Sequence, residues 1–289
     1  MPSDPLVDRL RAAGCVFAED EARLLRTAAE SPVELDALVA RRVEGAPLEA
    51  LLGWAEFCGL RIAVDPGVFV PRQRTAFLVA QAVHRLRVPP PPAGRQRPDN
   101  RGRVEDGPDA LRLSDGGRRP SPQRVNDGTD PVVVDLCCGS GAVGAAIAAA
   151  VPDVEVHAAD VDPAAVACAR RNLPRVYQGD LYDALPDHLR GRVDILVVNA
   201  PYVPTAAIAT MPPEARDHEP RAALDGGADG LDVQRRVAAD APVWLRPGGA
   251  LLFETGADQA PHTAELFAAA GLVPHVAYAD DATVVTGER

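Results

Sequence analysis

Val132-Val-Val-Asp-Leu-Cys-Cys-Gly-Ser-Gly141 is the stretch whose reading decides the fold. Val132–Leu136 is rich in β-branched residues and does not alternate with polar ones. Such a run predicts a strand buried on both faces, as in a parallel sheet. The glycines that follow predict a tight turn. The Ala-rich run from Gly139 to Val151 predicts a helix. Glycine at a strand–helix turn lets a ligand approach the backbone, and the first turn of the helix leaves N–H groups unpaired. The spacing Gly139-Ser-Gly-Ala-Val-Gly144 also matches G-x-G-x-x-G loosely. Taken alone, this signal is equally that of an ordinary tight turn.

The same alternation continues downstream. Val154–Ala159 reads as a strand ending at Asp160. Asp162-Pro163 starts a helix that runs to about Asn172, with aspartate as cap and proline at the first helical position. Val176–Gln178 is a short strand ending at Gly179-Asp180, and Asp194–Val198 a further buried one. Leu231–Ala241 reads as helix, Ala250–Thr255 as strand and Ala257–Ala270 as helix. Val273–Tyr278 and Thr283–Thr286 flank Asp280-Asp281 as a terminal hairpin. Strand–helix alternation predicts an α/β sheet with helices on both faces. Ligands in such sheets lie beyond the carboxyl ends of the strands. Asp135, Asp160 and Asp180 all fall there. A carboxylate about 20 residues after a glycine turn commonly accepts from ribose hydroxyls, so a nucleoside-containing cofactor accounts for all three.

Upstream the pattern is helical. Leu6, Val7 and Leu10, then Ala22, Leu24, Leu25 and Ala28, recur at helical spacing. Ser31-Pro32 with Glu34 resembles a helix start, and Pro47-Leu48 opens a short helix through Leu52. Phe57 to Val70 reads as two short strands around a turn at Asp65-Pro66-Gly67. Thr75 is placed to cap a helix over Ala76–Arg87. From Val88 to Pro131 aliphatic residues nearly vanish in favour of Pro, Gly, Arg and Asp, which predicts a disordered linker or insertion. The expected organisation is a helical N-terminal unit with a β-hairpin over residues 1–87, the linker over 88–131 and the α/β unit over 132–289.

Composition narrows the chemistry. The chain has 289 residues and a net charge of −11, and all 30 of its basic residues are arginine. Without lysine there is no P-loop lysine, no kinase lysine and no Schiff-base amine. Residues 87–130 carry nine arginines against seven acids, so the remainder is the more acidic part. That disfavours non-specific nucleic-acid binding, which draws its affinity from neutralising phosphates. The five cysteines form no C-x-x-C pair, as expected of reduced thiols in the cytoplasm, and they lack the spacing of a metal site. No apolar run reaches the roughly 18 residues of a membrane span, and the first residues carry no secretory pattern. A cytoplasmic monomer without direct nucleic-acid binding is expected.

Asn199-Ala200-Pro201-Tyr202 follows directly on the strand Asp194–Val198. It resembles the Asn-Pro-Pro-Tyr loop of methyltransferases that act on planar nitrogen with S-adenosylmethionine. A planar nitrogen has a delocalised lone pair and is a poor nucleophile. A side-chain carbonyl at Asn199 and a backbone carbonyl at Ala200 can each accept one N–H and aim the nitrogen, Pro201 stiffens the loop, and Tyr202 can stack on the planar group. The likeness extends further. Pro47-Leu-Glu-Ala-Leu-Leu-Gly53-Trp-Ala-Glu-Phe57 and Gly67-Val-Phe-Val-Pro71-Arg72 resemble the N-terminal signature of the HemK/PrmC family of protein-(glutamine-N5) methyltransferases. So do His218-Glu-Pro-Arg-Ala-Ala-Leu224-Asp-Gly-Gly-Ala-Asp-Gly230 and Arg246-Pro-Gly-Gly-Ala-Leu-Leu-Phe-Glu254.

The resemblance implies a Rossmann-like class I methyltransferase sheet and S-adenosyl-L-methionine as cofactor. It implies a peptide-chain release factor as partner, methylated on the glutamine of its Gly-Gly-Gln loop. Asp135 with Gly139, Ser140 and Gly141 would hold the amino-acid part of the cofactor. Asp160 would hold the ribose, Asp180 and Leu181 the adenine side, and Asn199 through Tyr202 the glutamine amide. The chain departs from the family at three places. Cys137 stands where the family has Gly, which would be strained if that position needs a positive φ. Ala200 replaces the first Pro of the loop. Pro71-Arg72-Gln73-Arg74-Thr75 replaces Pro-Arg-Pro-Glu-Thr-Glu. Glutamine methylation of a ribosomal protein, methylation of adenine N6 or guanine N2, and cofactor binding without catalysis are the alternatives.

Overall fold

The computed structural model describes residues 4–88 and 130–289. The linker expected over 88–131 lies almost wholly outside the described residues. The chain opens with four helices, α1 (Pro5–Ala12), α2 (Ala18–Ala28), α3 (Pro32–Val43) and α4 (Leu48–Leu52). Asp4 caps α1 by accepting from the Leu6 N–H at 3.1 Å. Ser31 caps α3 by accepting from the Glu34 N–H at 3.2 Å. Their apolar faces form a cluster of their own, with Leu10, Ala18, Ala22, Leu25 and Val39 fully buried.

A hairpin follows, β1 (Trp54–Phe57) and β2 (Leu60–Ala63), antiparallel with Phe57 opposite Leu60. This differs from the expected pair of strands around Asp65-Pro66-Gly67. The chain reverses at Cys58 (φ 51°) and Gly59 (φ 74°). Two successive left-handed residues make the tight reversal whose twist matches paired strands. Asp65–Val68 is a separate turn beyond the hairpin, closed by the Val68 N–H on the Asp65 carbonyl at 3.1 Å. Helix α5 spans Ala76–Arg87 as the sequence predicts, but Thr75 does not cap it. Thr75 is already helical in backbone (φ −65°, ψ −14°) and ends a short 3-10 turn, Gln73–Thr75. Its hydroxyl points elsewhere.

The α/β unit alternates β3 (Val132–Leu136), α6 (Ala142–Ala150), β4 (Glu155–Asp160), α7 (Pro163–Ala169), β5 (Val176–Gln178) and β6 (Val193–Val198). A short helix α8 (Pro213–His218) precedes α9 (Asp232–Trp244), β7 (Leu245–Thr255), α10 (Ala260–Ala269), β8 (Val273–Tyr278) and β9 (Thr283–Glu288). The sheet order is β5-β4-β3-β6-β7-β9-β8. The first five strands in that order are parallel, while β9 runs antiparallel to both β7 and β8. This is the Rossmann-like sheet of a class I methyltransferase.

Side chains alternate across the sheet with the strand period of two. Val133, Ile195, Val197 and Leu252 face α5 and α6, and the buried residues of the β1–β2 hairpin join them. Val132, Val134, Leu196 and Phe253 face α9 and α10, where Trp244 and Phe267 fill the layer. Residues 54–87 therefore share their core with the sheet, and only the four helices before Gly53 cluster apart. This packing matters for the site, because the segment from β2 to α5 runs past the carboxyl ends of β3 and β6.

Candidate active site

A cavity of about 490 Å³ opens beyond the carboxyl ends of the parallel strands. The order reverses between β3 and β6, and ligands collect at such a point in α/β sheets. Asp135, Gly139, Ser140, Asp160, Asp180, Leu181 and Asn199 through Tyr202 all line the cavity. Gly141 belongs to the same turn but does not line it; its φ of 76° lets α6 begin.

The turn after β3 is held by carboxylates and a strained backbone. Cys138 donates its N–H to the Ala159 carbonyl at 3.1 Å. Gly139 donates to Asp160 Oδ2 at 2.9 Å, and Asp162 donates to Asp160 Oδ1 at 2.9 Å. Asp135 Oδ2 accepts from the Gly144 N–H at 2.9 Å. Cys137 sits at φ 56°, the strained geometry anticipated for a non-glycine at this position. The left-handed region costs an L-residue about 1–2 kcal/mol. Leu181 at φ 50° repeats the device after β5. Backbone held in sparsely populated regions gathers at ligand sites.

Electrostatically this part is prepared for a cation. Burial pushes Asp135 up to about 7, with the Asp160 charge adding and the Gly144 hydrogen bond opposing. Burial raises Asp160 as well, against the pull of its backbone donors. Burial raises both Cys137 and Cys138, and the neighbouring aspartates raise them further. The vicinal thiols thus stay protonated and behave as small packing groups. Asp180 is more exposed and pairs with Arg236 at 2.7 Å.

The loop after β6 is held differently. Asn199 donates its Nδ2 to Thr75 Oγ1 at 3.3 Å. Arg74 Nη2 donates to the Tyr202 hydroxyl at 2.9 Å, and Arg74 Nε lies 3.4 Å from Glu254 Oε1. The Tyr202 carbonyl accepts from Gln259 Nε2 at 2.9 Å. The turn Asp225–Gly230 packs against the loop backbone. A Cβ at Gly226 would lie 2.8 Å from the Pro201 carbonyl oxygen, and one at Gly230 would overlap the Tyr202 carbonyl. Val203 pairs with this turn through its own N–H to the Leu224 carbonyl and its carbonyl to the Gly226 N–H. The segment Pro71–Thr75 closes one side of the cavity. Arg72 anchors it with an ion pair to the buried Glu219 at 2.7 Å. His218 ends α8, where a loop residue was expected.

The sequence reading brought the right residues to one place but missed how they are held. Thr75 was taken for a helix cap, and Glu254 entered only as the end of a resembling stretch. The Asp225–Gly230 turn had no assigned task. One signal was available: the Pro71–Thr75 segment and the Glu254 stretch belong to the same resemblance as Asn199–Tyr202.

A seven-stranded sheet of this order, with an Asn-Ala-Pro-Tyr loop beside three carboxylates at its switch point, defines a methyltransferase. The methyltransferase small domain family matches residues 123–212. The release factor glutamine methyltransferase of Geobacter sulfurreducens is 35% identical over 250 residues, covering 83% of this chain and 72% of that protein. That of Streptomyces coelicolor is 37% identical over 221 residues, covering 75% and 65%. A Streptomyces pristinaespiralis protein named 4-amino-L-phenylalanine/4-methylamino-L-phenylalanine methyltransferase is 35% identical over 242 residues, covering 82% and 70%. The chain belongs to the release factor glutamine methyltransferase family.

Proposed function

We propose that this chain transfers a methyl group from S-adenosyl-L-methionine to the side-chain nitrogen of a protein glutamine, that of the Gly-Gly-Gln loop of a peptide-chain release factor. The observation that carries this is the Asn199–Thr75 bond. With the amide NH2 spent on Thr75, the Asn199 carbonyl is left to accept, in a loop that lines the cavity beside Asp135 and Asp160. The family's names for its members point the same way.

The lining fits the cofactor. It offers carboxylates for an amine and for ribose hydroxyls, apolar surface at Phe69, Val143 and Leu181, and no arginine among the residues of the β3–α6 turn. The cofactor supplies an electrophilic methyl on a sulfonium; the chain's own groups do the positioning. Asp135 faces the ammonium end and Asp160 the ribose, with Asp180 and Leu181 flanking the base. Asn199 Oδ1 and the Ala200 carbonyl each accept one N–H of the glutamine amide. Held twice, the nitrogen presents its lone pair along one direction, and an intermolecular encounter becomes an oriented one. The same two dipoles stabilise the positive charge that grows on nitrogen as the new bond forms. One N–H proton then leaves to water. Neither step needs an amine, which agrees with a chain free of lysine.

The test is transfer of labelled methyl to a purified release factor, with the modified residue located by mass spectrometry. Label on the Gly-Gly-Gln glutamine is expected; an unlabelled factor under conditions where a related enzyme works contradicts the proposal. One observation favours a second acceptor. The Streptomyces pristinaespiralis relative carries an arylamine amino acid in its name, and Arg74 places a guanidinium in the cavity lining where a free carboxylate could pair. Faster transfer to 4-amino-L-phenylalanine than to the release factor in the same assay would select that acceptor.

A further inference from the structure

An asparagine amide is nearly symmetric in shape, with an acceptor on one arm and two donors on the other. The proposed chemistry works only if the oxygen faces the substrate nitrogen. Flipped, the amide would present N–H to N–H. The shape of the side chain does not decide between the two arrangements, so its neighbours must.

We propose that Thr75 and Glu254 set the direction of the Asn199 amide, and thereby decide that its oxygen faces the substrate nitrogen. This rests on the role given to Asn199 above. Thr75 is buried, and its hydroxyl accepts from Asn199 Nδ2 at 3.3 Å instead of capping α5. The same hydroxyl hydrogen-bonds the Glu254 carboxylate. A hydroxyl has one hydrogen, and an ionised carboxylate can only accept. Thr75 must therefore give its hydrogen to Glu254, and toward Asn199 it can only accept. Only the NH2 arm satisfies that, and the oxygen is turned the other way. The chain of bonds also polarises the amide, since an acceptor on NH2 makes the oxygen a better acceptor.

Glu254 stands behind the cavity lining with a side chain 2% exposed. Arg74 supports its charge through Oε1, while Oε2 has no partner among the described residues. Arg74 also donates to the Tyr202 hydroxyl, so the substitution of arginine for the family's glutamate joins both ends of the catalytic loop to one carboxylate. Glu254 and Thr75 touch no reacting atom; they are positioning residues.

The groups facing Glu254 are Arg74, Thr75, Tyr202 and Asp281. Burial raises its pKa above the ordinary glutamate range, Thr75 and Arg74 pull it back, and Asp281 adds to the rise. Burial keeps the Tyr202 phenol neutral over that range. Protonated Glu254 can donate to Thr75, which can then donate to the Asn199 oxygen and reverse the amide. Turnover at saturating cofactor should therefore fall as pH drops through the Glu254 pKa.

The experiment uses the full chain and two readouts. Steady-state transfer to the release factor is compared for wild type, Thr75→Val and Thr75→Ser across pH. Thr75→Val should lower kcat about tenfold or more with cofactor affinity unchanged, and should lose the acid limb that Glu254 causes. Thr75→Ser should restore both. In parallel, NMR follows the Asn199 side-chain NH2, assigned by its loss in Asn199→Asp. In wild type these resonances should move with the Glu254 titration without any methyl acceptor present. Wild-type resonances indifferent to that titration would overturn the proposal even if Thr75→Val failed to fold. So would a folded Thr75→Val with unchanged kcat and acid limb. A responsive NH2 signal in a protein that methylates no glutamine would instead remove the assigned function and leave the amide relay standing.

Discussion

On the cofactor side of the cavity, the shaping contacts link residues near one another in the chain. Asp135 holds Gly144 nine positions on, and Asp160 holds Gly139 across 21. On the acceptor side, Tyr202 is held from Gln259 at 57 positions and Asn199 from Thr75 at 124. One side is a strand end, a turn and a helix start, complete in itself. The other is a four-residue loop that takes its geometry from three distant segments. The cofactor side stores backbone strain at Cys137 and Leu181; the acceptor side relies on side-chain bonds and on glycines that admit a close backbone. The two should therefore fail separately.

The sharpest way to break that separation is Asn199→Ala. The expected loss in kcat is about 10²–10³-fold, the range for removing one preorganised dipole, read by single-turnover transfer at saturating cofactor. A loss under about threefold would remove Asn199 from the chemistry. The opposite failure is Asp135→Asn, which keeps an acceptor for the Gly144 N–H but removes the charge. Cofactor affinity should drop about 10–100-fold, the worth of a hydrogen bond between charged groups, with kcat at saturation nearly retained. Calorimetry checks it, and a loss confined to kcat would exchange the assigned roles.

The raised pKa of Asp135 sharpens the same contrast with a smaller effect. A buried acid titrating at about 7 is mostly neutral below that pH in the free protein. A cationic ligand favours the carboxylate, so its binding must expel a proton there. Cofactor affinity should rise by up to about tenfold per pH unit toward neutrality and then level off. Asp135→Asn should abolish the slope. A flat affinity from pH 5.5 to 7, flagged here as an approximate window set by the ordinary scatter of carboxylate pKa values, would mean Asp135 does not meet the cation. Smallest is Cys137→Gly. Glycine relieves the left-handed strain but loosens the unfolded chain, and the net gain should be about 1 kcal/mol or less in chemical denaturation. Destabilisation by a similar amount would mean that the thiol's packing outweighs the strain.

The comparison also explains what the sequence disclosed. The strand–turn–helix around Asp135 and the strand ends at Asp160 and Asp180 are local patterns. Periodicity and glycine spacing therefore place them without a partner to consult. Asn199–Tyr202 is legible as a loop because it follows a buried strand, and as chemistry through its resemblance. Its supports are not legible that way. Thr75 stands one residue before a helix, where threonine ordinarily caps, and only the arrival of Asn199 and Glu254 redirects its hydroxyl. Cys58-Gly59 was passed over as a turn because Asp65-Pro66-Gly67 carries stronger punctuation. Yet left-handed geometry at Cys58 (φ 51°) closes the hairpin six residues earlier than Pro66 would suggest. Nor does local pattern show that residues 54–87 pack into the sheet, since that depends on α5 lying beside α6.

The most direct measurement of the central claim is the cofactor dissociation constant of Asn199→Ala set beside its single-turnover rate on the release factor. If the two sides of the cavity are independent, the constant stays within about twofold of wild type while transfer collapses. Parallel loss of cofactor binding and transfer would contradict the account, because Asn199 would then belong to the cofactor side.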